Sequence, residues 1–134
     1  MKSRRMFRSI FTAASFLVLF QGLNLLARTV HPPVSLCNSA GFFGLPFPTI
    51  LSLGLAVTVL GTLFFLWWKK RDEPISPPWL ILFSAGLSNV LERLQYGCVF
   101  DYLKLPLWPL FNVADVALFA SVVFLVWREY REGK

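Results

Sequence analysis

Charged residues are scarce in this sequence. Asp, Glu, Lys and Arg make up 15% of its 134 residues, whereas 56% of the residues are hydrophobic. A soluble domain usually has about a quarter of its residues charged. The shortage of charge argues against a soluble domain, and the length allows one domain over residues 1–134 and no second one. We therefore predict an integral membrane protein.

Residues that commonly bind metals are also scarce. The chain has two cysteines, Cys37 and Cys98, and one histidine, His31. The cysteines form neither a C-x-x-C pair nor a Cys/His ligand pattern, and His31 lies alone beside two prolines in a predicted loop. The sequence therefore gives no metal-binding pattern. Both cysteines fall in loops predicted to lie outside the membrane, where a disulfide is possible but not expected.

Long apolar runs are abundant. Four segments, each about long enough to span ~30 Å of hydrocarbon, follow one another along the chain. They cover residues 7–28, 47–68, 78–97 and 109–127. The stretch MKSRRMFR before the first segment could open a signal peptide, but the apolar run is long for one and no small-residue cleavage site follows. We therefore predict an all-α membrane protein with a four-transmembrane-helix bundle, the first helix being retained.

The basic residues predict the orientation of this bundle. Most Lys and Arg residues lie before the first segment, between the second and third, and after the fourth, which share one side of the membrane if all four segments cross it. The other side has only Arg28, Arg93 and Lys104. The positive-inside rule then places both termini in the cytoplasm. The net charge of +6 reports topology in such a protein and does not indicate a nucleic-acid partner.

Polar residues within the apolar segments are grouped rather than scattered. In the first and third segments their spacing of three, four and seven places them on one face of each helix. The third segment runs outward and the fourth inward, so Asp101 and Asp115 lie near the same depth on the extracytoplasmic side. The residues on these faces are Gln21, Asn24 and Arg28 in the first segment and Gly86, Asn89, Glu92, Arg93 and Tyr96 in the third.

Asp101 and Asp115 are candidates for a catalytic pair. Pro106 and Pro109 prevent a continuous helix between them, so the chain turns and the two carboxylates can face each other. Carboxylates held together share a proton, which raises one pKa, and aspartic proteases use this arrangement to activate water. A plainer interpretation stays open. NVAD (112–115) fits a helix N-cap with an acid at its third position, and the polar faces could serve helix packing.

Three blocks of the sequence, in order, resemble the bacterial lipoprotein signal peptidase family, also called signal peptidase II. CNSAGFFG (37–44) is similar to the family's N-x-G-x-x-F-G block. AGLSNVLERLQYGCVFDYL (85–103) is similar to its G-N-x-x-D-R…G-x-V-x-D-[FY] block, and PLFNVADVAL (109–118) to its F-N-x-A-D block. The matching positions are Asn38, Phe43, Gly44, Asn89, Arg93, Gly97, Val99, Asp101, Phe111, Asn112, Ala114 and Asp115.

The resemblance implies that Asp101 and Asp115 cleave the signal peptide of lipidated prolipoproteins just before the diacylglyceryl-modified Cys. It implies no metal and no cofactor, and a small extracytoplasmic β-rich cradle formed by the 29–46 loop. We expect a monomer in the bacterial cytoplasmic membrane that contacts membrane lipids and no nucleic acid, with its active site toward the extracytoplasmic side. The residues expected to position the substrate and the pair are Asn38, Asn89, Glu92, Arg93 and Asn112.

The chain departs from the family pattern at a few positions. Glu92 stands where the family has Asp, and Ala40 replaces a Gly. In the first segment, Phe20 and Asn24 replace an acid and a Lys, and only Gln21 is kept. The leading hypothesis is an intramembrane aspartic endopeptidase. The alternatives are a catalytically inactive relative that binds lipoproteins and a subunit of a small ion-coupled transporter. A proton relay favours acids on several helices, whereas the first two segments contain none.

Overall fold

The computed structural model describes residues 2–30, 37–39, 48–69 and 77–133. Its described ranges contain four helices, as the four apolar segments predicted. These helices are α1 (Lys2–Val30), α2 (Thr49–Lys69), α3 (Pro77–Tyr96) and α4 (Val113–Glu132). His31, Ala40, Phe43 and Gly44, and most of the predicted 29–46 cradle, lie outside the described residues.

The helix ends differ from the predicted segments for local reasons. α1 begins within the basic amino-terminal stretch rather than after it. α4 begins at Val113, four residues later than predicted, because Phe111 is held in a β-bridge with Leu103. α4 also continues beyond the apolar run, where Arg128 and Glu132 form an ion pair one turn apart with Nε and Oε1 separated by 3.2 Å.

α3 is the central helix, and α1, α2 and α4 each pack against it. Small residues on α3 permit close approach, as is common between membrane helices. Ala85 is completely buried and belongs to a cluster with Phe20 of α1 and Ala114 of α4. On another face, a Cβ at Gly86 would lie 2.7 Å from Leu60 Cδ2, so a larger residue there would require the Leu60 side chain of α2 to move.

Large apolar side chains cover the outside of the bundle. α1 and α2 are each long and apolar enough to cross a membrane, over Arg4–Val30 and Ile50–Lys69. Among the described helices, α3 and α4 do not meet the same criterion of length and hydropathy. α4 nevertheless exposes apolar residues along its length, including Phe119, of which 73% is accessible. Such an apolar exterior is typical of proteins that contact lipid or other proteins.

Two short strands join the segments that follow α1 and α3. β1 (Cys37–Asn38) and β2 (Val99–Phe100) are antiparallel, with Cys37 opposite Phe100 and Asn38 opposite Val99. Cys37 and Cys98 form a disulfide with their Cα atoms 5.5 Å apart, so the expectation that they would not pair is wrong. The spacing of the two cysteines could not reveal this, because their closeness depends on the pairing of β1 with β2.

A tight loop after β2 returns the chain to the start of α4. Leu103 N–H donates to Phe111 O at 2.8 Å, and Phe111 N–H donates to Leu103 O at 3.1 Å. Leu107 lies between them with a φ of 62°, a left-handed conformation that is unusual for a leucine. The chain therefore turns between Asp101 and Asp115, as the two prolines predicted.

Candidate functional site

Asp101 follows β2 directly and is buried, with 3% of its surface accessible. Each of its carboxylate oxygens accepts a hydrogen bond from an asparagine side chain. Asn38 Nδ2 donates to Oδ2 at 2.8 Å, and Asn112 Nδ2 donates to Oδ1 at 3.2 Å. Because Asn38 is in β1, the pairing of the two strands holds this asparagine beside Asp101.

Asp115 lies in the first turn of α4 and forms a capping box with Asn112. Asp115 N–H donates to Asn112 Oδ1 at 3.0 Å, and Asn112 N–H donates to Asp115 Oδ2 at 3.1 Å. The plainer interpretation of NVAD as a helix cap is therefore correct. It does not exclude a functional role, because Asp115 Oδ1 also accepts a hydrogen bond of 2.7 Å from Asn89 Nδ2 on α3.

Asn112 connects the two aspartates and is fully buried. Its side-chain Nδ2 donates to Asp101 Oδ1, and also to Asn89 Oδ1 at 3.1 Å. Its backbone N–H donates to Asp115. Three parts of the chain thus meet in one polar network: the end of α3, the segment after β2 and the start of α4.

The environment of Asp101 favours its protonated form. Burial raises the pKa of this carboxyl to about 7, and the negative charge of Asp115 adds to the effect. The hydrogen bonds from Asn38 and Asn112 and the positive charge of Arg93 act in the opposite direction. Near neutral pH this carboxyl therefore exchanges a proton readily, which is the property required of a catalytic acid or base.

Arg93 lies on α3 and is buried, with 8% of its surface accessible. Its positive charge interacts favourably with the carboxylates of Glu92, Asp101 and Asp115. The site thus contains a buried cation that offsets part of the repulsion between the two aspartates.

Glu92 was predicted as a site residue, but its hydrogen bonds go to groups other than the two aspartates. Its hydrogen bonds go to Arg28 Nη2, at 3.1 Å from Oε1, and to the backbone N–H of Phe100, at 2.9 Å from Oε2. Glu92 is almost completely buried. It connects the end of α1 to β2 and supports the strand that leads into Asp101, without a hydrogen bond to either aspartate.

Two further residues, Arg28 and Tyr102, lie beside the site. They were not predicted as functional residues from the sequence. The Arg28 guanidinium also lies over the ring of Tyr96, 3.7 Å from its centroid. Tyr102 donates its hydroxyl to Asn24 Oδ1 at 3.3 Å and accepts from Val113 N–H at 3.4 Å. The regular spacing of the polar residues on the first helix was a signal for Arg28, whereas nothing in the sequence indicated the partners of Tyr102.

The arrangement can perform acid–base chemistry without further groups. An ionised carboxylate can take a proton from water while a protonated neighbour donates to the oxygen of a carbonyl. Within the described ranges, no three His, Cys, Asp or Glu side chains are grouped so that they could hold a metal ion.

Comparison with known proteins agrees with this chemistry. Residues 34–131 match the family model described as signal peptidase (SPase) II. A lipoprotein signal peptidase from Azoarcus sp. (strain BH72) is 37% identical over 86 residues, which is 60% of this chain and 49% of that protein. One from Moorella thermoacetica is 37% identical over 78 residues, or 55% of this chain and 52% of that protein. The chain thus spans about half the length of these curated relatives.

A solved structure, described as that of a bacterial membrane enzyme, has the same fold. The TM-score is 0.78 over 95% of this chain and 90% of the other, at 18% sequence identity. At this identity the likeness concerns the fold alone. It agrees with the helical architecture predicted from the sequence.

Proposed function

Since the chain belongs to the signal peptidase II family, we propose that it is an intramembrane aspartic endopeptidase that cleaves prolipoproteins just before their diacylglyceryl-modified Cys. The main support is that Asn112 connects Asp101 and Asp115 through hydrogen bonds within one buried network. Aspartic proteases use two neighbouring Asp carboxyl groups, and this network holds two such groups near each other.

In the proposed reaction, Asp101 begins protonated and Asp115 begins ionised. Burial raises the pKa of Asp101 to about 7. We assign the negative charge of the pair to Asp115 because it lies at the amino-terminal end of α4, where the helix dipole favours negative charge. Asp115 removes a proton from water, the water oxygen bonds to the scissile carbonyl carbon, and Asp101 donates its proton to the carbonyl oxygen. The resulting tetrahedral intermediate loses its C–N bond as Asp115 passes its proton to the leaving nitrogen. Asp101 then recovers a proton from the intermediate's hydroxyl as the new carboxyl group forms.

The remaining polar residues would position this pair and the substrate. Asn38 and Asn89 each hold one oxygen of one aspartate, so the free edges of the carboxyl groups keep a fixed orientation. Arg93 balances the charge, and Asn112 sets the separation of the pair. We assign Glu92 to the support of β2 rather than to direct contact with substrate, because its hydrogen bonds go to Arg28 and Phe100.

We further propose that all four helices cross the bacterial cytoplasmic membrane, with both termini in the cytoplasm and the aspartates toward the outside. The Lys and Arg distribution supports this orientation. The disulfide supports it as well, because the extracytoplasmic space is oxidising. Residues 29–46 would complete the cradle, and the protein would act as a monomer.

Membrane-impermeant labelling of single cysteines at positions 39, 76 and 133 tests the topology, and labelling of position 76 from outside would contradict it.

The activity is tested with purified protein in detergent and a synthetic prolipoprotein segment that has a diacylglyceryl-modified Cys. Cleavage is followed by mass spectrometry, which gives the position of the cut bond. We expect a single cut before the lipidated Cys and none in the unlipidated peptide. Tight binding of the lipidated peptide without cleavage would instead identify an inactive relative that binds lipoproteins.

A further inference from the structure

An apolar cavity of about 330 Å³ lies between α1, α2 and α3. Its wall comes from the first half of α1, the last turns of α2 and the first half of α3, and includes Met6, Leu17, Leu63 and Phe83. This volume falls within the range of roughly 300–1,000 Å³ that is typical of ligand sites in proteins.

The cavity is separate from the aspartate site. On α3, Phe83 lies in the middle of the stretch that lines the cavity, and Arg93 of the polar network is ten residues further along the helix. At 1.5 Å per residue, these two positions are about 15 Å apart. The cavity therefore belongs to the end of the bundle that holds the amino terminus, opposite the end that holds the aspartates.

A buried hydrogen-bond donor without a partner forms part of the cavity wall. Trp67 lines the cavity, and its indole N–H is buried and donates to no residue that the structure describes. The two serines of the wall do have acceptors, since Ser9 donates to Arg5 O and Ser84 donates to Ala13 O. Buried donors in proteins nearly always have a partner, so the Trp67 N–H is available to the acceptor oxygen of a ligand in the cavity.

Positive charge lies beside the same cavity. Arg4, Arg5 and Arg8 are exposed on the first turns of α1, next to Met6 and Ser9 of the wall. On α2, the exposed Lys69 follows Trp67 by two residues. Neither α1 nor α2 has an acidic residue. An anionic group at the cavity entrance would thus meet a favourable field, as lipid headgroups do beside basic clusters at the cytoplasmic surface.

We propose that this cavity binds one acyl chain of an anionic glycerophospholipid of the cytoplasmic leaflet. The chain fills the apolar space, an ester carbonyl accepts from the Trp67 N–H, and the phosphate lies near Arg5 and Lys69. The inference rests on the membrane orientation proposed above and does not depend on peptidase activity.

The experiment uses the full-length protein, delipidated in detergent and then incubated separately with phosphatidylglycerol, phosphatidylcholine or palmitate. Native mass spectrometry counts the lipids that remain bound after release from the micelle. We expect one retained phosphatidylglycerol per protein. We also expect about tenfold less phosphatidylcholine, because its headgroup has no net charge and gains less from the positive field of the basic residues.

Two variants test the location of the site. Ala14→Phe places a ring in the cavity and should remove the retained phosphatidylglycerol. Its matched control, Ala120→Phe on the exposed face of α4, should not. Trp67→Phe keeps the apolar wall and removes only the donor, so retention should fall about fivefold, the typical effect of one hydrogen bond. Trp127→Phe, an exposed tryptophan on α4, is the control for that change.

The outcomes separate the possible occupants. Equal retention of both phospholipids by the wild type, or unchanged retention in both Ala14→Phe and Trp67→Phe, would overturn the proposal. Retention of palmitate without phosphatidylglycerol would assign the cavity to a free fatty acid and would also overturn it. A cooperative thermal unfolding transition in detergent, at a temperature close to that of the wild type, reports that each variant is folded. Since none of these readouts involves cleavage, failure here is distinguishable from failure of the proposed peptidase function.

Discussion

Arg28 and Glu92 form an ion pair inside the protein, with Arg28 Nη2 3.1 Å from Glu92 Oε1 across 64 positions of sequence. The side chains are 18% and 2% exposed. The second oxygen of Glu92 accepts from Phe100 N–H, one residue before Asp101. The pair therefore connects the end of α1 to the strand that places an aspartate in the polar network.

The first prediction concerns Glu92. Glu92→Leu leaves the Arg28 guanidinium without its carboxylate and Phe100 N–H without its acceptor. Removing one partner of a buried ion pair costs about 3–5 kcal/mol, so we expect a large drop in unfolding temperature and much reduced cleavage. Glu92→Asp, which keeps the charge, should retain activity. Thermal unfolding in detergent is the measurement, and the exposed Gln95→Leu is the control.

A double variant separates the energetic contribution of the ion pair from the effect of placing an apolar side chain at position 92. The double variant Arg28→Met with Glu92→Leu removes both charges, so its loss of stability should be smaller than the sum of the two single losses. If Glu92→Leu alone has wild-type stability and activity, the assigned support role of this pair is wrong.

The second prediction concerns the aspartates. Asp101→Asn and Asp115→Asn keep the shape of the side chain but cannot take a proton from water. Each should lower the cleavage rate by roughly a thousandfold or more, and the double variant should be no worse than either single one because the two act as a unit. Glu129→Gln, an exposed acid on α4, is the matched control. Robust cleavage by either single variant at normal expression would overturn the aspartic mechanism.

The third prediction concerns pH. Burial raises the pKa of Asp101 to about 7, and the proposed reaction needs this carboxyl protonated. Cleavage should therefore fall as the pH rises through about 7. The hydrogen bond from Asn38 favours the ionised form, so Asn38→Ala should raise the pKa further and move this decline to higher pH. A pH–rate profile of both proteins is the measurement, and a shift to lower pH would contradict the assignment.

Titration of Asp101 should also lower the stability of the folded state as the pH rises. The folded state binds the Asp101 proton more tightly than the unfolded state, whose Asp has a pKa of about 3.9. The stabilisation that the Asp101 proton gives to the folded state is therefore complete below about pH 4, and it is lost as the pH rises to about 7. The free energy of unfolding of the wild type should decline over this range relative to that of Asp101→Asn, which lacks the titrating group.

The fourth prediction concerns the disulfide between Cys37 and Cys98. It closes a loop with a sequence separation of 61 residues, for which chain entropy predicts about 4 kcal/mol of stabilisation. Reduction should lower the unfolding temperature. It should also lower cleavage, because Asn38 would no longer be held beside Asp101. The variant with both cysteines replaced by Ala should be insensitive to reductant, and equal loss of activity in that variant on adding reductant would contradict this explanation.

The helices and the approximate site followed from local patterns. The apolar runs predicted four helices, because each run is long enough to span the bilayer and a helix forms its backbone hydrogen bonds within one continuous segment. The capping box at Asn112 and Asp115 could be read from four letters of sequence, since its hydrogen bonds lie within one helical turn. The prolines predicted the turn between the aspartates.

The tertiary structure decided which of the polar residues meet. Asn38 reaches Asp101 across 63 positions and Arg28 reaches Glu92 across 64, and no periodicity within one segment encodes such distances. The disulfide depends on the pairing of β1 with β2 and was not expected from the sequence. Glu92 appeared in the sequence as a member of the polar face beside the aspartates. The fold turned it toward Arg28 and Phe100 instead, because a buried charge takes the position where a cation and a free N–H are both within reach.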